Sequence, residues 1–360
     1  MKITINSRVL KSALESANKA INPKPNIPTL ANFLLEGDGS YLTITGSDGN
    51  TTIKETIPCE TQGKALLPTN LLELVRTLPE GDVTIETEDT TAKVGWKNGQ
   101  STIPTFDPED YPIIKDEEGL LTFSVKGETL SKALSRTIPH TADDELRPIM
   151  GGVLFNGKEG GVLDLVASDS HTLCVYPVKT DAQTTFDFVV PASALKLVVN
   201  AAKAGDVEIA NGETYLRFRT GTTTIITRKL VGKFPNYESI FPKTFNSTLT
   251  ADKASILSSI RRVQVCASKA SGHLKFNFGM LENSIEAQDL SFGTSAREIL
   301  EGVTYDGADL TIGFKGDFIA RSISSLDGDK VKISFVDPRR AAVISSDDDE
   351  AVVIAMPIQI

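Results

Sequence analysis

Recognisable catalytic motifs are lacking in this 360-residue chain, and its histidines are few and far apart. The three histidines are His140, His171 and His273, and none stands at a metal-ligand spacing such as HExxH or beside a CxxC pair. The sequence also lacks a phosphate loop of the GxxxxGKS/T type and a GxSxG nucleophile turn. We therefore expect no catalytic site, no cofactor and no metal ion.

Two further groups have a possible chemical interpretation and an ordinary structural one. The acidic run at residues 347–350 lacks the Gly and the distal Glu of an EF-hand, which favours a solvated hairpin turn over a Ca²⁺ or Mg²⁺ site. Cys59, Cys174 and Cys266 stand singly in apolar surroundings, which favours buried thiols over a redox role. A hydrolase would need a nucleophile and a base, and no such pair is identifiable.

The elements that would position any site repeat about every 120 residues, a period that indicates three similar domains. Residues 63–86, 186–209 and, more faintly, 310–335 each have the pattern of a strand, a helix, a Gly-Asp pair and a second strand. The predicted domains are 1–118, 119–243 and 244–360, with joints near 117–119 and 243–245.

Apolar periodicity divides each domain into two units, each a strand, a helix and three more strands. The chain then has about twenty-four strands and six helices, at 8–20, 69–78, 127–138, 192–203, 253–269 and 315–326. Two helices per domain can cover only one face of its sheets, so we predict an α+β fold with helices on one side and sheets on the other. Three such domains in a row leave an unpaired strand at each end, and head-to-tail closure into a ring would pair both.

Charge is segregated between the helices and the rest of the chain. The net charge is −10, which alone argues against a nucleic-acid partner. The predicted helices nevertheless hold fourteen basic and only four acidic residues, which leaves −20 for the remainder. Basic inner helices in a ring would hold a polyanion through phosphate contacts, without recognising bases. The basic residues are Arg8, Lys11, Lys19, Arg76, Lys132, Arg136, Lys196, Lys203, Lys253, Arg261, Arg262, Lys269, Lys315 and Arg321.

Over its whole length the chain resembles the bacterial DNA polymerase III beta subunits, the sliding clamps. The segments that carry the resemblance are PKPNIPTLANFLLE (23–36), ELRPIMGGVLF (145–155), VASDSHTL (166–173), RKLVGKFPNYESIFP (228–242) and VIAMPIQI (353–360). The resemblance implies a non-catalytic, cytoplasmic homodimer of six domains around duplex DNA. It also implies partners: the polymerase III alpha subunit, the clamp loader and other proteins with short clamp-binding peptides.

The resemblance also implies three sets of site residues. For DNA contact it adds Lys24 and Arg147 to the helix cations Arg8, Lys11, Arg76, Lys132, Arg136, Lys196, Lys203, Arg261 and Arg262. The peptide site comprises Met150, Ser168, Ser170, His171, Thr172, Leu173, Phe241, Pro242, Val343, Ile354, Met356, Pro357 and Ile358. Thr172 replaces an arginine common in the family, and Gln359 replaces a terminal basic residue, so an altered peptide preference is expected.

The dimer contact would join strand 99–105 of one chain to strand 296–301 of another. Its candidate residues are Leu74, Leu78, Gln100, Ile103, Arg297, Glu298, Ile299 and Leu300, with Glu301 and Lys97 as further charges. The main alternative function is a DNA-independent scaffold that assembles through its sheet edges. Such a scaffold would not need basic residues concentrated on its helices.

Overall fold

A computed structural model describes residues 1–114, 121–144 and 146–360. The chain divides into two compact units. Unit 1 comprises Met1–Glu128 and Ser193–Lys229, and unit 2 comprises Thr129–Ala192 and Leu230–Ile360. The middle third of the chain thus contributes to both units. The joint predicted near 117–119 lies outside the described residues, and the three domain boundaries stay a prediction.

The first third of the chain has the two predicted strand-helix-three-strand units. Its elements are β1 (Lys2–Asn6), α1 (Ser7–Asn18), β2 (Asn32–Asp38), β3 (Tyr41–Ser47), β4 (Thr51–Pro58), β5 (Gln62–Pro68), α2 (Asn70–Thr77), β6 (Asp82–Glu88), β7 (Thr91–Trp96) and β8 (Gly99–Pro104). The middle third repeats the order with β9 (Leu121–Val125), α3 (Gly127–Thr137), β10 (Gly152–Lys158), β11 (Val162–Ser168), β12 (Thr172–Lys179), β13 (Phe186–Pro191), α4 (Ala192–Ala201), β14 (Val207–Asn211), β15 (Tyr215–Thr220) and β16 (Thr223–Arg228).

The last third departs from the pattern at one strand. Its elements are β17 (Ser247–Asp252), α5 (Lys253–Gln264), β18 (His273–Phe278), β19 (Ser284–Asp289), β20 (Thr294–Ile299), β21 (Val303–Asp306), β22 (Leu310–Lys315), α6 (Gly316–Ser324), β23 (Lys330–Phe335), β24 (Ala342–Ser345) and β25 (Val352–Ala355). One predicted strand is divided into β20 and β21, because the backbone turns at Gly302, where φ is +69°. β20 pairs with β19, whereas β21 pairs with β17.

Each unit holds two sheets. The smaller sheet is built from one third of the chain, and the larger sheet joins strands from two successive thirds. Unit 1 holds a four-stranded sheet, β1-β6-β7-β8, and an eight-stranded sheet, β5-β2-β3-β4-β16-β15-β14-β9. Unit 2 holds a four-stranded sheet, β20-β19-β18-β22, and a nine-stranded sheet, β13-β10-β11-β12-β25-β24-β23-β17-β21. The large sheets are continuous through the antiparallel pairs β4–β16 and β12–β25.

The helices form where the sequence offers one apolar face, and α1 and α5 also begin with a capping side chain. In α1 the Asn6 side chain caps the first turn by accepting from the Arg8 backbone N–H at 3.0 Å. Leu10, Leu14 and Ala17 are buried against the sheet, in a core that also contains the apolar face of α2. α5 and α6 pack together in unit 2 in the same manner. In both cases the helices cover one face of the sheets, as predicted.

The helices are shorter than the periodicity predicts. Lys19, Lys203, Lys269 and Lys315 lie just outside α1, α4, α5 and α6, and Lys203 belongs to a separate short helical turn, Ala202–Ala204. The helices therefore contain ten of the fourteen basic residues and all four acidic ones. The helices still contain more basic than acidic residues, but the excess is smaller than predicted.

Candidate functional site

The turn between β11 and β12 carries the rim of the predicted peptide site. Asp169 shapes it, because its Oδ1 accepts from the backbone N–H groups of His171 at 2.9 Å and Thr172 at 2.6 Å. Ser170 takes a left-handed conformation, with φ at +76°. Burial opposes ionisation of Asp169, but the hydrogen bond from the Thr172 backbone and the charge of Arg321 together hold its pKa below the usual range. The rim is therefore a fixed turn.

A network of polar side chains supports this turn from below. Arg321, from α6, donates to Asp169 and to the Thr172 hydroxyl. His140 is fully buried, with its Nδ1 2.9 Å from the Thr172 Oγ1 and its Nε2 3.2 Å from the Ser325 Oγ. Burial, with the nearby Arg321 charge, lowers the pKa of His140 to about 3, so the imidazole is neutral. Sequence analysis missed this network and counted Arg321 only among the basic residues of the predicted helices. Its guanidinium is engaged by the turn.

The apolar floor of the site brings together residues from three strands. Leu173 of β12 and Val343 of β24 both lie opposite Ile354 of β25 in the strand register. These three residues and Phe241 belong to one apolar cluster, in which Leu173 and Ile354 are buried and the other two half-buried. Four of the predicted peptide-site residues thus belong to one apolar cluster, and of these four only Phe241 and Val343 are partly exposed.

A cavity of about 540 Å³ lies beside this floor. Three predicted residues, Phe241, Pro242 and Met356, line it. Arg339 and Arg340 line it as well, and sequence analysis missed them because they belong to an ordinary-looking DPRR turn. The volume lies within the range of ligand pockets. Arg340 is paired with Asp337 at 3.4 Å, whereas Arg339 has no carboxylate partner among the described residues. Apolar walls beside the Arg339 guanidinium suit an acidic peptide with apolar anchor side chains.

The other predicted peptide-site residues lie around the rim or beneath it. Met150 is buried and its sulfur accepts from the Ser170 hydroxyl at 3.7 Å, while Ser168 and Thr172 are buried within the turn. His171 is exposed and stacks on Phe318 with 4.8 Å between ring centroids. Pro357 is half-buried, and the Ile358 backbone N–H donates to the Gly313 carbonyl at 2.9 Å. The last residues are thereby fastened to β22.

The predicted DNA-contact cations fall into two classes. Six are held by carboxylates of the same chain: Arg8 by Glu80, Arg76 by Glu15 and Glu73, Lys132 by Asp327, Arg136 by Asp327 and Asp349, Arg147 by Asp144, and Arg262 by Glu298. In the described part of the chain, the other five have no carboxylate partner: Lys11, Lys24, Lys196, Lys203 and Arg261. The described structure therefore gives the second class no competing ion pair.

Arg136 shows what the first class does. Its side chain is only 19% exposed, and its Nε lies 3.0 Å from a carboxylate oxygen of Asp349, whose side chain is fully buried. The acidic run 347–350 is therefore not entirely a solvated turn as predicted, because Asp349 turns inward to pair with Arg136 and to accept from the Asp327 backbone N–H at 2.7 Å. Among the described residues, no group of acidic, His or Cys side chains could hold a metal ion. Cys59 and Cys174 are buried thiols as predicted, and Cys266 is half-buried.

The dimer candidates lie on or near two edge strands, β8 and β20. Gln100, Arg297 and Ile299 are exposed, while Ile103 and Leu300 are buried within the chain itself. Glu298 is held by Arg262 and by the Ser259 hydroxyl at 2.6 Å, and Arg297 pairs with Glu282 and Glu286. Leu74 and Leu78 are half-buried against the core of the first third of the chain. Glu301 is exposed, as is Lys97 at the β7–β8 turn.

No described helix has the length and hydropathy needed to span a membrane.

Comparison with known proteins gives a consistent result along the chain. The N-terminal, central and C-terminal domains of the DNA polymerase III beta subunit match residues 1–115, 124–236 and 238–359, respectively. The beta sliding clamp of Pseudomonas aeruginosa is 25% identical over 100% of both chains. That of Synechocystis sp. is 27% identical over 81% of this chain and 83% of its own.

Solved structures have the same fold. A DnaN sliding clamp from Pseudomonas aeruginosa, crystallised with bound griselimycin, matches with a TM-score of 0.94 at 23% identity over 100% of both chains. The DNA polymerase sliding clamp from Bacillus subtilis matches with a TM-score of 0.92 at 22% identity, covering 100% of this chain and 99% of that one. With three family domains matched in order over nearly its whole length, this chain belongs to the DNA polymerase III beta subunit family, the sliding clamps, which are non-catalytic processivity subunits of a DNA polymerase.

Proposed function

We propose that two copies of this chain close head to tail into a six-domain ring around duplex DNA. The ring would tether the polymerase III alpha subunit and other proteins through short peptides bound at the predicted peptide site of unit 2. The clamp loader would dock there as well. DNA and a polymerase are the partners of this family, whereas the ring, the contact residues and the cytoplasmic location are the proposal.

The observation that carries the proposal is a pairing between strands of two different thirds of the chain. It occurs twice, and the third pairing that a threefold repeat allows is not made within the described chain. The fourth strand of the first third, β4, pairs with the last strand of the middle third, β16. In the same way, β12 of the middle third pairs with β25 of the last third. The corresponding strands left over are β20 and β8, and each is the edge of its sheet. Pairing β20 with β8 of a second copy would satisfy both edges.

Internal repetition also gives the register of this third pairing. Ile53 lies opposite Ile225 in the first junction, and Cys174 lies opposite Val353 in the second. Ile53 and Cys174 are each the third residue of their strand, and Ala296 is the third residue of β20. On the other side of the junction, Ser101 of β8 occupies the position that Ile225 has in β16 and Val353 has in β25. We therefore expect Ala296 to face Ser101 of the second copy, and Arg297 to face its Gln100.

DNA contact in this ring would depend on the cations without a carboxylate partner. The five candidates are Lys11, Lys24, Lys196, Lys203 and Arg261. Lysine and arginine bind phosphate without distinguishing bases, so the ring would slide on any sequence. Lys132, Arg136 and the other paired cations are better assigned to holding the fold together.

A disulfide across the proposed junction tests both closure and register. In a Cys266→Ser background, Ala296→Cys is combined with Ser101→Cys, since opposed antiparallel Cα atoms lie about 4.5–5.5 Å apart and disulfides span about 4.4–6.8 Å. The reduced protein is mixed with circular plasmid and oxidised. We expect the 38.7 kDa chain to become a covalent dimer that stays on the plasmid at about 1 M NaCl and leaves when the plasmid is linearised.

The matched control combines Ala296→Cys with Gln100→Cys, whose side chain faces the other side of the strand. It should give little cross-linked dimer. Efficient cross-linking of the control instead would refute the register. A protein that remains monomeric, or a covalent dimer that is retained equally on circular and linear DNA, would refute encirclement.

A further inference from the structure

Unit 1 contains a cavity of about 660 Å³ where α1 and β4 meet α4 and β16. Its walls are partly apolar, with Ile53, Leu197 and Ile225, and partly small, with Ala201 and Ala204. Of the family residue sets discussed above, only the DNA-contact set has a member in its wall, Arg8. The cavity is large enough for a small organic molecule.

A buried carboxylate, that of Glu55, lines this cavity. Glu55 is only 5% exposed. It accepts from three hydroxyls, those of Ser16 at 2.5 Å, Thr223 at 2.7 Å and Thr222 at 3.2 Å. No cation of the described chain forms an ion pair with it. A buried carboxylate without a cation is costly, so a cation entering the cavity would gain a strong partner.

The internal repeat shows which side chain pairs with a carboxylate at the corresponding position in the other two thirds of the chain. The tenth residue of the helix that opens each third of the chain is Ser16 in α1, Arg136 in α3 and Arg262 in α5. Both arginines pair with a carboxylate, with the Arg136 Nε 3.0 Å from Asp349 and the Arg262 Nε 2.9 Å from Glu298. The first third alone has a serine in place of the guanidinium.

The comparison with the last third of the chain is close, because the two carboxylates correspond as well. Glu55 is the fifth residue of β4 and Glu298 is the fifth residue of β20. Glu298 receives two guanidinium hydrogen bonds and one from the hydroxyl of Ser259. Glu55 keeps hydroxyl donors and lacks the guanidinium. We infer that the cavity of unit 1 binds a small organic cation, an alkylguanidinium or alkylammonium, with its charged head on Glu55 and its alkyl chain along Ile53, Leu197 and Ile225.

Lys19 lies at the same cavity and could compete with such a ligand. It is exposed and forms no ion pair within the described chain. Its charge would repel a bound cation, so removing it should strengthen binding. Arg8, the other basic residue of the cavity wall, is already paired with Glu80 at 2.5 Å.

The test uses the full chain and two probes of nearly equal shape, N-butylguanidinium and neutral N-butylurea, measured by isothermal titration calorimetry. We expect saturable binding of one N-butylguanidinium per chain and at least about tenfold weaker binding of N-butylurea. Glu55→Gln should abolish the preference, while Glu60→Gln, an exposed acid outside the cavity, should preserve it. Lys19→Met should strengthen binding of N-butylguanidinium, because it removes a repelling charge.

A second variant keeps the test decisive if Glu55→Gln folds poorly. Ser16→Arg would place a guanidinium on Glu55 from within the chain, as Arg262 does on Glu298. We expect this variant to melt at a higher temperature and to bind neither probe. Equal binding of the two probes, no binding by the wild-type chain, or a Ser16→Arg variant that melts lower and still binds N-butylguanidinium would each overturn the inference.

Discussion

At the residue scale, His140 couples protonation to folding. Burial holds its pKa at about 3, against an ordinary value of about 6.5, so between these pH values the unfolded chain binds a proton that the folded chain excludes. The stabilising effect of the neutral imidazole is therefore complete above pH about 6.5 and is lost as the pH falls towards 3, by about 1.4 kcal/mol per pH unit. Asp169, which faces the same network, has a lowered pKa and does not titrate in the upper part of this range.

Urea unfolding measured at about pH 7.5 and about pH 5.5 checks this effect. The wild-type chain should lose stability over this interval, and His140→Gln, which keeps polar atoms without the titration, should lose less. His273→Gln removes an exposed histidine and should behave like the wild type. An equal loss in His140→Gln and wild type would show that other groups govern the pH dependence.

Ser170 is strained, and the chain itself supplies a comparison. At φ +76° it stands in the turn that precedes β12, and the turn that precedes β4 has Gly49 at φ +92° in the corresponding position. Glycine accepts this conformation freely, whereas other residues lose about 1 kcal/mol. Ser170→Gly should therefore raise the midpoint of thermal unfolding, and Gly49→Ser should lower it. Shifts of the same sign in both variants would contradict this explanation.

At the element scale, we expect the cations on and near the helices to divide between DNA contact and the fold. Lys196 of α4 and Lys203 of the following turn are exposed and without a carboxylate partner among the described residues, so changing both to glutamine should reduce the slope of log binding constant against log salt by about 1.8. Thermal stability should stay the same. Arg136→Met should leave the salt dependence of DNA binding unchanged and destabilise the chain by about 3 kcal/mol, because the buried Asp349 loses its partner.

Duplex binding over a salt series and thermal melting, measured on both variants, separate the two roles. Loss of stability in the lysine variant, or an unchanged melting temperature in Arg136→Met, would show that the division is wrong. The distinction was not available from sequence, since Arg136 and Asp349 are 213 residues apart and both types of cation fit the same helical pattern.

Helix existence was predictable because periodic apolar residues such as Leu10, Leu14 and Ala17 determine which face is buried. Helix ends were less predictable. The helix predicted at 253–269 ends at Gln264, although Val263 and Ala267 are both buried and continue the apolar spacing. The family resemblance named residues that the structure places in one apolar cluster, but the support of the adjoining turn by His140 and Arg321 depends on contacts over long sequence separations that no local pattern records.

At the scale of the whole molecule, the threefold repeat predicted about twenty-four strands, where the described residues form twenty-five, and an unpaired strand at each end of the row of domains. It did not predict that the middle third would be divided between the two compact units, which follows because the large sheets join successive thirds of the chain. The same repetition, once the strand registers are known, identifies opposed residues at the proposed junction. Arg297 and Gln100 are both exposed and would face each other there.

Charge at position 100 should therefore tune the dimer. Gln100→Glu places an acid opposite Arg297 of the second copy, whereas Gln100→Arg places a like charge there, and cross-strand charge pairs change free energy by about 0.2–1 kcal/mol each. A closed ring has two such junctions, so the dissociation constant should fall by up to about thirtyfold for the acid and rise comparably for the base. Sedimentation equilibrium measures both. Gln62→Glu and Gln62→Arg, on the edge strand β5, should leave the constant unchanged, because that edge takes no part in the proposed closure. If both Gln100 variants weaken the dimer equally, the contact there is steric and the register inferred from β4–β16 and β12–β25 does not extend to the third junction.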